Sequence, residues 1–210
     1  MVWKEDINIS LTISGGFRIG SGRAGLEVDL PVVKEHLPKS EKGSYYTSNF
    51  SSSLRGILRK SVRRIAQSTG LNAIANLEEA LFGSWVTDLG SRKKEGKIKI
   101  KLVPPSSENV KNYSRTGIRI DEVFGSVAHQ ALFTYEVLEG EDKKLILKFK
   151  LTSDFPLSED EAALLLAGLN GLTYDFIGGF ASRGLGLIEK VEVDQKFVNF
   201  AKPHLEKYFV

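Results

Sequence analysis

Apolar and polar residues alternate in several parts of the chain, with the two-residue period of a strand that has one buried face. The clearest cases are residues 5–13, 97–103 and 143–152. Residues 184–193 also fit a strand. Shorter strand candidates lie at 117–121 and 131–138. The pattern therefore predicts a β-sheet with one apolar face turned toward the rest of the fold.

Between these strands the apolar residues follow a helical period. Helices are predicted over residues 52–67, 72–82 and 158–169. In the first, Leu54, Leu58 and Val62 fall on one arc, and the serines at its start can cap it. The third begins with a capping box, because Ser158 and Glu161 have the required three-residue spacing.

The predicted elements follow the order strand, helix, strand, long insertion, strand, helix, strand. This is the βαββαβ plan of a ferredoxin-like (RNA-recognition-motif-like) α+β domain. Large insertions follow the first strand, at about residues 15–50, and the second strand, at about 104–138. No repeat or long linker divides the chain, so we expect a single domain over residues 1–210.

Composition excludes several classes of protein. With 41% hydrophobic and 26% charged residues, the 210-residue chain has enough apolar sequence for a packed core. It contains no cysteine, which excludes disulfides and Cys-ligated zinc. No apolar run approaches the ~18 residues of a membrane-spanning helix, and the N-terminus lacks the apolar segment of a signal peptide. We therefore expect a cytoplasmic protein without a membrane partner.

Positive charge is concentrated in two segments, although the formal net charge is only +3. Residues 55–64 hold five cations and no acid, and residues 92–101 hold six cations and one acid. On the first predicted helix, five cations lie opposite the apolar arc: Arg55, Arg59, Lys60, Arg63 and Arg64. Because no acid shares their side of the helix, we expect them to lack ion-pair partners and to face a polyanion. The alternative is a solvated face.

Glycine is concentrated in two segments, residues 15–25 and 168–186, which hold 11 of the 20 glycines. The first contains a GxGxxG pattern at 20–25, but the following residues are β-branched and broken by Pro31, so no dinucleotide-binding helix begins there. The second includes the loop 177–186, whose backbone N–H groups and Arg183 would suit a phosphodiester chain. The alternative is a tight turn that needs several glycines.

Several motifs in a fixed order give the chain a family resemblance. They are SGGFRIGSG at 14–22, Asp29-Leu30-Pro31, SSSLRGILR at 51–59, LFGS at 81–84, GIRID at 117–121 and IGGFASRGLG at 177–186. The chain resembles the RAMP superfamily of CRISPR-associated proteins, in particular the small backbone subunits of type III (Csm/Cmr-like) effector complexes. Two departures are Phe50-Ser51, where the family usually has Pro-Gly, and GGFAS in place of a longer glycine run.

The resemblance implies a subunit of an antiviral ribonucleoprotein that binds guide crRNA, pairs it with target RNA, and stacks on copies of itself and on other CRISPR effector subunits. It also implies metal-dependent cleavage of the paired target, with Asp29 as the catalytic and metal-binding residue and Mg²⁺ as the metal. A thumb that distorts the RNA would lie within about residues 104–138. The candidate RNA-binding residues are Arg18, Arg23, Ser53, Arg55, Arg59, Arg63, Arg119, Gly178, Gly179, Ser182, Arg183 and Gly184.

Other interpretations remain open at this point. Asp29 can simply cap a turn before Pro31, which would leave a structural, non-catalytic backbone subunit. A metal-independent guide-processing endoribonuclease with His36 as general base is a further alternative, although the single ferredoxin-like unit and the SSLRG motif argue against it. Asp121 is interpreted as a structural partner of Arg119 or Arg115.

Overall fold

The computed structural model describes residues 1–20, 28–32, 35–36, 45–46, 50–69, 72–84, 95–103 and 110–209. The strands are β1 (Val2–Trp3), β2 (Ile7–Ser14), β3 (Glu35–His36), β4 (Tyr45–Tyr46), β5 (Ile98–Val103), β6 (Lys111–Ile120), β7 (Val127–Glu139), β8 (Lys144–Ser153), β9 (Leu157–Ser158) and β10 (Leu187–Val193). The helices are α1 (Phe50–Thr69), α2 (Asn72–Phe82), α3 (Glu159–Asn170) and α4 (Gln195–Phe209). The predicted α+β class is confirmed, and the strands within each sheet pair antiparallel.

The central sheet has four antiparallel strands in the order β10-β2-β8-β5. In the β2–β8 pair, Ile9 lies opposite Phe149 and Leu11 opposite Leu147, and all four side chains are buried. Leu54 and Leu58 of α1 belong to the same buried cluster, as do the leucines of α3. The apolar residues that alternate in the sequence thus form one face of the sheet, and the helices cover this face. Burial of these side chains is the main source of stability.

The start of α3 is built as predicted. The Glu161 backbone N–H donates to Ser158 Oγ at 3.2 Å, and the Ser158 N–H donates to Glu161 Oε2 at 2.8 Å. Lys97 Nζ also lies 2.7 Å from Glu161 Oε1. The capping box therefore fixes this end of α3 and accounts for a carboxylate that is almost fully buried.

A long hairpin formed by β6 and β7 extends well beyond the short strands predicted at 117–121 and 131–138. Its outer residues are exposed, so they lack the apolar alternation from which a strand is predicted. At the turn, Asp121 Oδ1 accepts hydrogen bonds from the N–H groups of Val123 and Phe124. The interpretation of Asp121 as a partner of Arg119 or Arg115 is therefore wrong, and Arg115 pairs with Glu139 instead.

Helix α4 follows the last strand and has no counterpart among the elements predicted from sequence. Its Phe197 ring meets Trp3 edge to face with 5.3 Å between centroids, and α4 packs along α3. Over the described stretches of the chain, no helix combines the length and apolarity needed to cross a membrane.

Candidate nucleic-acid interface

Strand β7 pairs with more than its hairpin partner. Near one end, Phe17 and Leu138 exchange backbone hydrogen bonds of 2.8 Å in both directions. Farther along, the Leu30 N–H donates to Thr134 O at 3.0 Å and the Glu136 N–H donates to Leu30 O at 3.1 Å. The segments that carry Arg18 and Asp29 are therefore both positioned by β7.

Asp29 is exposed at the edge of β7. Its Oδ2 accepts hydrogen bonds from the Thr134 backbone N–H at 2.7 Å and from Thr134 Oγ1 at 3.1 Å. Because both bonds favour the charged form, they hold the pKa of the Asp29 carboxyl below its usual value. Asp29 thus presents an ionised carboxylate in a fixed position.

An ionised oxygen ligand has the chemistry that Mg²⁺ prefers. Within the described residues, however, no group of three or more His, Cys, Asp or Glu side chains is placed to hold a metal ion. A cation at Asp29 would therefore need RNA phosphate oxygens and water to complete its coordination.

The glycine-rich loop 177–186 is bonded to the segment after β2. The Gly179 N–H donates to Arg18 O and the Gly186 N–H donates to Gly16 O, both at 2.7 Å. Gly178 has a φ of +91°, and a Cβ there would lie 2.2 Å from Arg18 O, so only glycine fits this approach. The Gly184 N–H is also used within the protein, by Ala181 O. The expectation that these N–H groups face phosphate is therefore wrong at Gly179 and Gly184.

Arg183 is the cation of this loop that reaches the surface. Its guanidinium carbon lies 4.9 Å from the ring centroid of Phe180, 5.1 Å from that of Phe133 and 5.7 Å from that of Tyr135. No acidic partner is found for it among the residues that the structure describes. Three rings thus hold the guanidinium of an exposed arginine, an arrangement suited to phosphate.

Arg18 lies inside the protein, although the sequence alone suggested a surface cation. It is only 6% exposed, its Nη2 donates to Leu30 O at 2.9 Å, and its guanidinium lies 4.9 Å from the Phe180 ring centroid. Burial lowers the pKa of this guanidinium, and the charge of Glu136 opposes the shift.

Four of the five cations of α1 have acidic partners, so the expectation that they lack them is wrong for Arg59, Lys60, Arg63 and Arg64. Glu78 of α2 accepts from Arg59 Nε at 2.6 Å and from Arg63 Nη2 at 2.9 Å. Burial raises the pKa of Glu78, but the hydrogen bonds from Arg63 and Arg59 outweigh it and leave the pKa below its usual value. A helical wheel of α1 cannot show this pair, because the acid comes from the next helix.

The remaining cations of this face also have partners. Arg64 pairs with Asp175, whose other oxygen lies 3.8 Å from Lys60 Nζ. Arg55 Nη2 donates to Phe82 O at 2.9 Å, and Arg59 Nη2 donates to Gly83 O at 2.8 Å, at the C-terminal end of α2 where carbonyls lack helical partners. Four of the five cations share two carboxylates and Arg55 is bonded to a backbone carbonyl, so the face keeps an excess of positive charge.

The structure brings together some predicted site residues and separates others. Arg18, Asp29 and Arg183 gather around β7, whereas Ser53, Arg55, Arg59 and Arg63 lie on α1, and Arg119 is exposed on the hairpin. Arg23 and the His36 side chain lie outside the described part of the chain. RNA contact by all the candidate residues stays a prediction.

Sequence reasoning missed the residues that hold the site in place. Thr134 fixes Asp29, and Phe133, Tyr135 and Phe180 fix Arg183. The alternation of Phe133 and Tyr135 indicated a strand, but nothing in it indicated which loop the strand would meet.

A comparison with protein-family models matches residues 14–189 to the RAMP superfamily. The matched span contains Asp29, helix α1, the β6–β7 hairpin and the loop of Arg183, and thus all the features of the interface. A comparison with curated proteins found no match.

Proposed function

The chain belongs to the RAMP superfamily, and from this premise we propose that it is a guide-crRNA-binding backbone subunit of a type III CRISPR antiviral ribonucleoprotein that cuts the paired target RNA. Membership itself supports a CRISPR-associated RNA-binding role. Copies of this chain and other CRISPR effector subunits are its partners under this proposal, and the cytoplasm is its location.

The sheet topology supports the ferredoxin-like assignment. Numbered by chain order within the sheet, the strands β2, β5, β8 and β10 lie in the order 4-1-3-2, with α1 and α2 after the first and α3 after the third. This is the split βαβ arrangement that the βαββαβ pattern predicts. The hairpin of β6 and β7, inserted after the second strand, takes the place of the thumb.

One observation carries the proposal: three consecutive residues of β7 position both a cation and a carboxylate. Phe133 and Tyr135 lie against the Arg183 guanidinium, and Thr134 between them holds the Asp29 carboxylate. The same stretch of β7 thus positions a cation suited to phosphate and an ionised oxygen ligand, and under this proposal one bound RNA contacts both. The contacts would be to phosphates, so base pairing with the guide would supply sequence specificity.

In the proposed cleavage, the protein positions the reacting groups and the RNA supplies the attacking hydroxyl. Thr134 keeps the Asp29 carboxyl ionised and in place, while Arg183 binds a phosphate of the strand. Asp29 would hold a divalent cation, which would supply positive charge where negative charge develops as the adjacent 2′-hydroxyl loses its proton, attacks the phosphate and displaces the 5′-oxygen of the next nucleotide.

The test uses the purified complex that contains this chain, incubated with labelled RNA complementary to its bound guide, with Mg²⁺ or with EDTA. We expect evenly spaced, metal-dependent cuts that are lost in Asp29→Ala. Asp154→Ala is the matched control, because Asp154 is also an exposed carboxylate but pairs with Lys99 beside the central sheet. Absence of bound guide RNA would overturn the whole proposal.

A structural, non-catalytic subunit is the second candidate. It is favoured by the fact that, among the residues the structure describes, Asp29 is not part of any cluster of metal-binding side chains. Bound guide with intact target RNA would assign this role. Metal-independent cutting that is lost in His36→Ala would instead assign guide processing.

A further inference from the structure

Arg18 is a buried charge with an unusual set of partners. Its guanidinium has one hydrogen bond to a backbone carbonyl, from Nη2 to Leu30 O at 2.9 Å. Its Nε is buried and has no hydrogen-bond partner within the described structure. A buried guanidinium is expensive to desolvate unless its donors are satisfied. This side chain therefore does more than fill space, since an apolar residue of similar size would do that without the desolvation penalty.

Arg18 contacts two loops that are far apart in sequence. Through its side chain it holds the carbonyl of Leu30, the residue directly after Asp29. Through its backbone carbonyl it accepts the Gly179 N–H at 2.7 Å, and its guanidinium lies over the Phe180 ring. The Arg183 guanidinium also lies 4.9 Å from the centroid of the Phe180 ring.

These contacts point to a role that differs from RNA binding. We propose that Arg18 is a positioning residue that couples the glycine-rich loop to the Asp29 segment, so that the Arg183 guanidinium and the Asp29 carboxylate keep a fixed mutual arrangement. The coupling is a property of the folded chain, whereas its effect on cleavage rests on the proposed function.

The path of this coupling is short and made of direct contacts. The Phe180 ring is in contact with both guanidinium groups, and Leu30 is bonded both to Arg18 and to β7. Displacement of the Arg18 side chain therefore releases one support of the Asp29 segment and one support of the Phe180 ring at the same time.

The first experiment measures backbone amide hydrogen exchange in the full chain without RNA. Three amides report on the coupled segments: Leu30, Thr134 and Gly179. In Arg18→Met, which keeps length but removes the charge and the donors, we expect exchange at these amides to rise about tenfold, while amides of the central sheet such as Leu147 change little.

Ser61→Ala is the matched control for this experiment. It also removes a buried side-chain donor to a backbone carbonyl, because Ser61 Oγ donates to Gly168 O at 2.9 Å between α1 and α3. We expect Ser61→Ala to leave the three reporting amides unchanged. Arg18→Lys retains a donor for Leu30 O but not the planar stack on Phe180, so it should rescue protection at Leu30 and Thr134 more than at Gly179.

The second experiment uses the assembled complex and its guide-directed cleavage. Arg18→Met should lower the cleavage rate and raise the Mg²⁺ concentration for half-maximal rate, while guide-RNA affinity changes by less than about twofold, since the side chain is buried. If the wild-type complex does not cut RNA, the proposed function fails, but the exchange result still decides the coupling.

Two results would overturn the inference. One is Arg18→Met protein in which Leu30, Thr134 and Gly179 exchange as in wild type. The other is a rise in exchange that is uniform over the central sheet, since this would make Arg18 an ordinary contributor to global stability. If Arg18→Met does not fold, the same comparison made with Arg18→Lys, at Gly179 against Leu30, decides the question.

Discussion

Asp29 and Thr134, 105 residues apart in sequence, form a two-point contact in which one carboxylate oxygen accepts both the amide and the hydroxyl of the threonine. This contact places an exposed acid at a defined point on β7 and lowers the pKa of its carboxyl. An acid that merely capped its own turn would be bonded to neighbouring residues instead. The contact therefore makes Thr134 the natural target for testing how Asp29 works.

Thr134→Val is expected to raise the pKa of Asp29 toward its usual value. The substitution removes the hydroxyl bond and keeps the backbone bond, so the rise is partial. The depressed pKa stabilises the fold above the usual carboxyl pKa, and this contribution is lost as pH falls through the lower folded value. In the variant, the pH at which this contribution is lost should therefore be higher, closer to the usual carboxyl pKa. NMR titration of the Asp29 carboxyl carbon measures the pKa directly.

Thr134→Ser is the control, because it keeps a hydroxyl at the same position. Its Asp29 pKa should stay close to that of the wild type. If valine and serine gave the same titration, the hydroxyl bond would have no role in holding the carboxylate.

Glu78→Gln should destabilise the fold by about 2 kcal/mol, since it weakens charge-assisted hydrogen bonds to two arginines. The folded pKa of Glu78 is depressed, so its contribution is present above the usual carboxyl pKa and is lost as pH falls through the folded value. The difference between wild type and variant should therefore shrink in acid. Urea unfolding at several pH values measures it.

Asp154→Asn serves as the comparison for Glu78→Gln. Its pair with Lys99 is exposed on both sides, and such exposed pairs contribute little to the free energy of unfolding. Equal destabilisation by the two substitutions would contradict the buried network described for Glu78.

Alanine substitutions at Gly178 and Gly184 should differ sharply. Both residues have positive φ, but a Cβ at Gly178 would meet Arg18 O, whereas a Cβ at Gly184 has open space around it. Gly184→Ala should cost about 1–2 kcal/mol from the left-handed backbone alone. Gly178→Ala should cost more and should also weaken RNA binding, because the loop must move away from Arg18. Thermal unfolding and RNA titration of both variants test this, and equal losses would show that the close approach is unimportant.

Arg183→Gln should reduce the salt dependence of RNA binding. If Arg183 neutralises one phosphate of a single strand, the slope of log affinity against log salt should become shallower by about 0.7. Arg183→Lys retains the charge and should keep most of the slope while losing affinity, because its ammonium does not stack on the three rings. If the slope were unchanged in Arg183→Gln, Arg183 would not be one of the residues that contact phosphate.

The parts of this fold that could be predicted from sequence are those determined by neighbours along the chain. The alternation around Leu11 and Leu147 gave the central strands, and the spacing of Ser158 and Glu161 gave the start of α3. Both signals arise within one element, since the side-chain period and the cap geometry are local.

The errors arose where two elements meet. The cations of α1 are balanced by Glu78 and Asp175, and the glycine-rich loop uses its N–H groups on Gly16 and Arg18. The residue pattern of one segment does not indicate which hydrogen-bond or ion-pair partner the other segment contributes. For the same reason the sequence indicated Asp29 through a family resemblance but gave no sign of Thr134.

The hydrogen bond from the Gly179 N–H to Arg18 O joins two residues that are far apart in sequence. This separation affects the order in which the fold assembles. Helices and hairpins form early because their partners are near in sequence, whereas contacts between distant segments must first overcome the entropy of closing a long loop. During synthesis on the ribosome, the loop of Arg183 emerges after Asp29, helix α1 and the hairpin of β6 and β7. A nascent chain that has not yet reached that loop cannot present the acid and the arginine together, so this face is completed only after the loop of Arg183 has been synthesised.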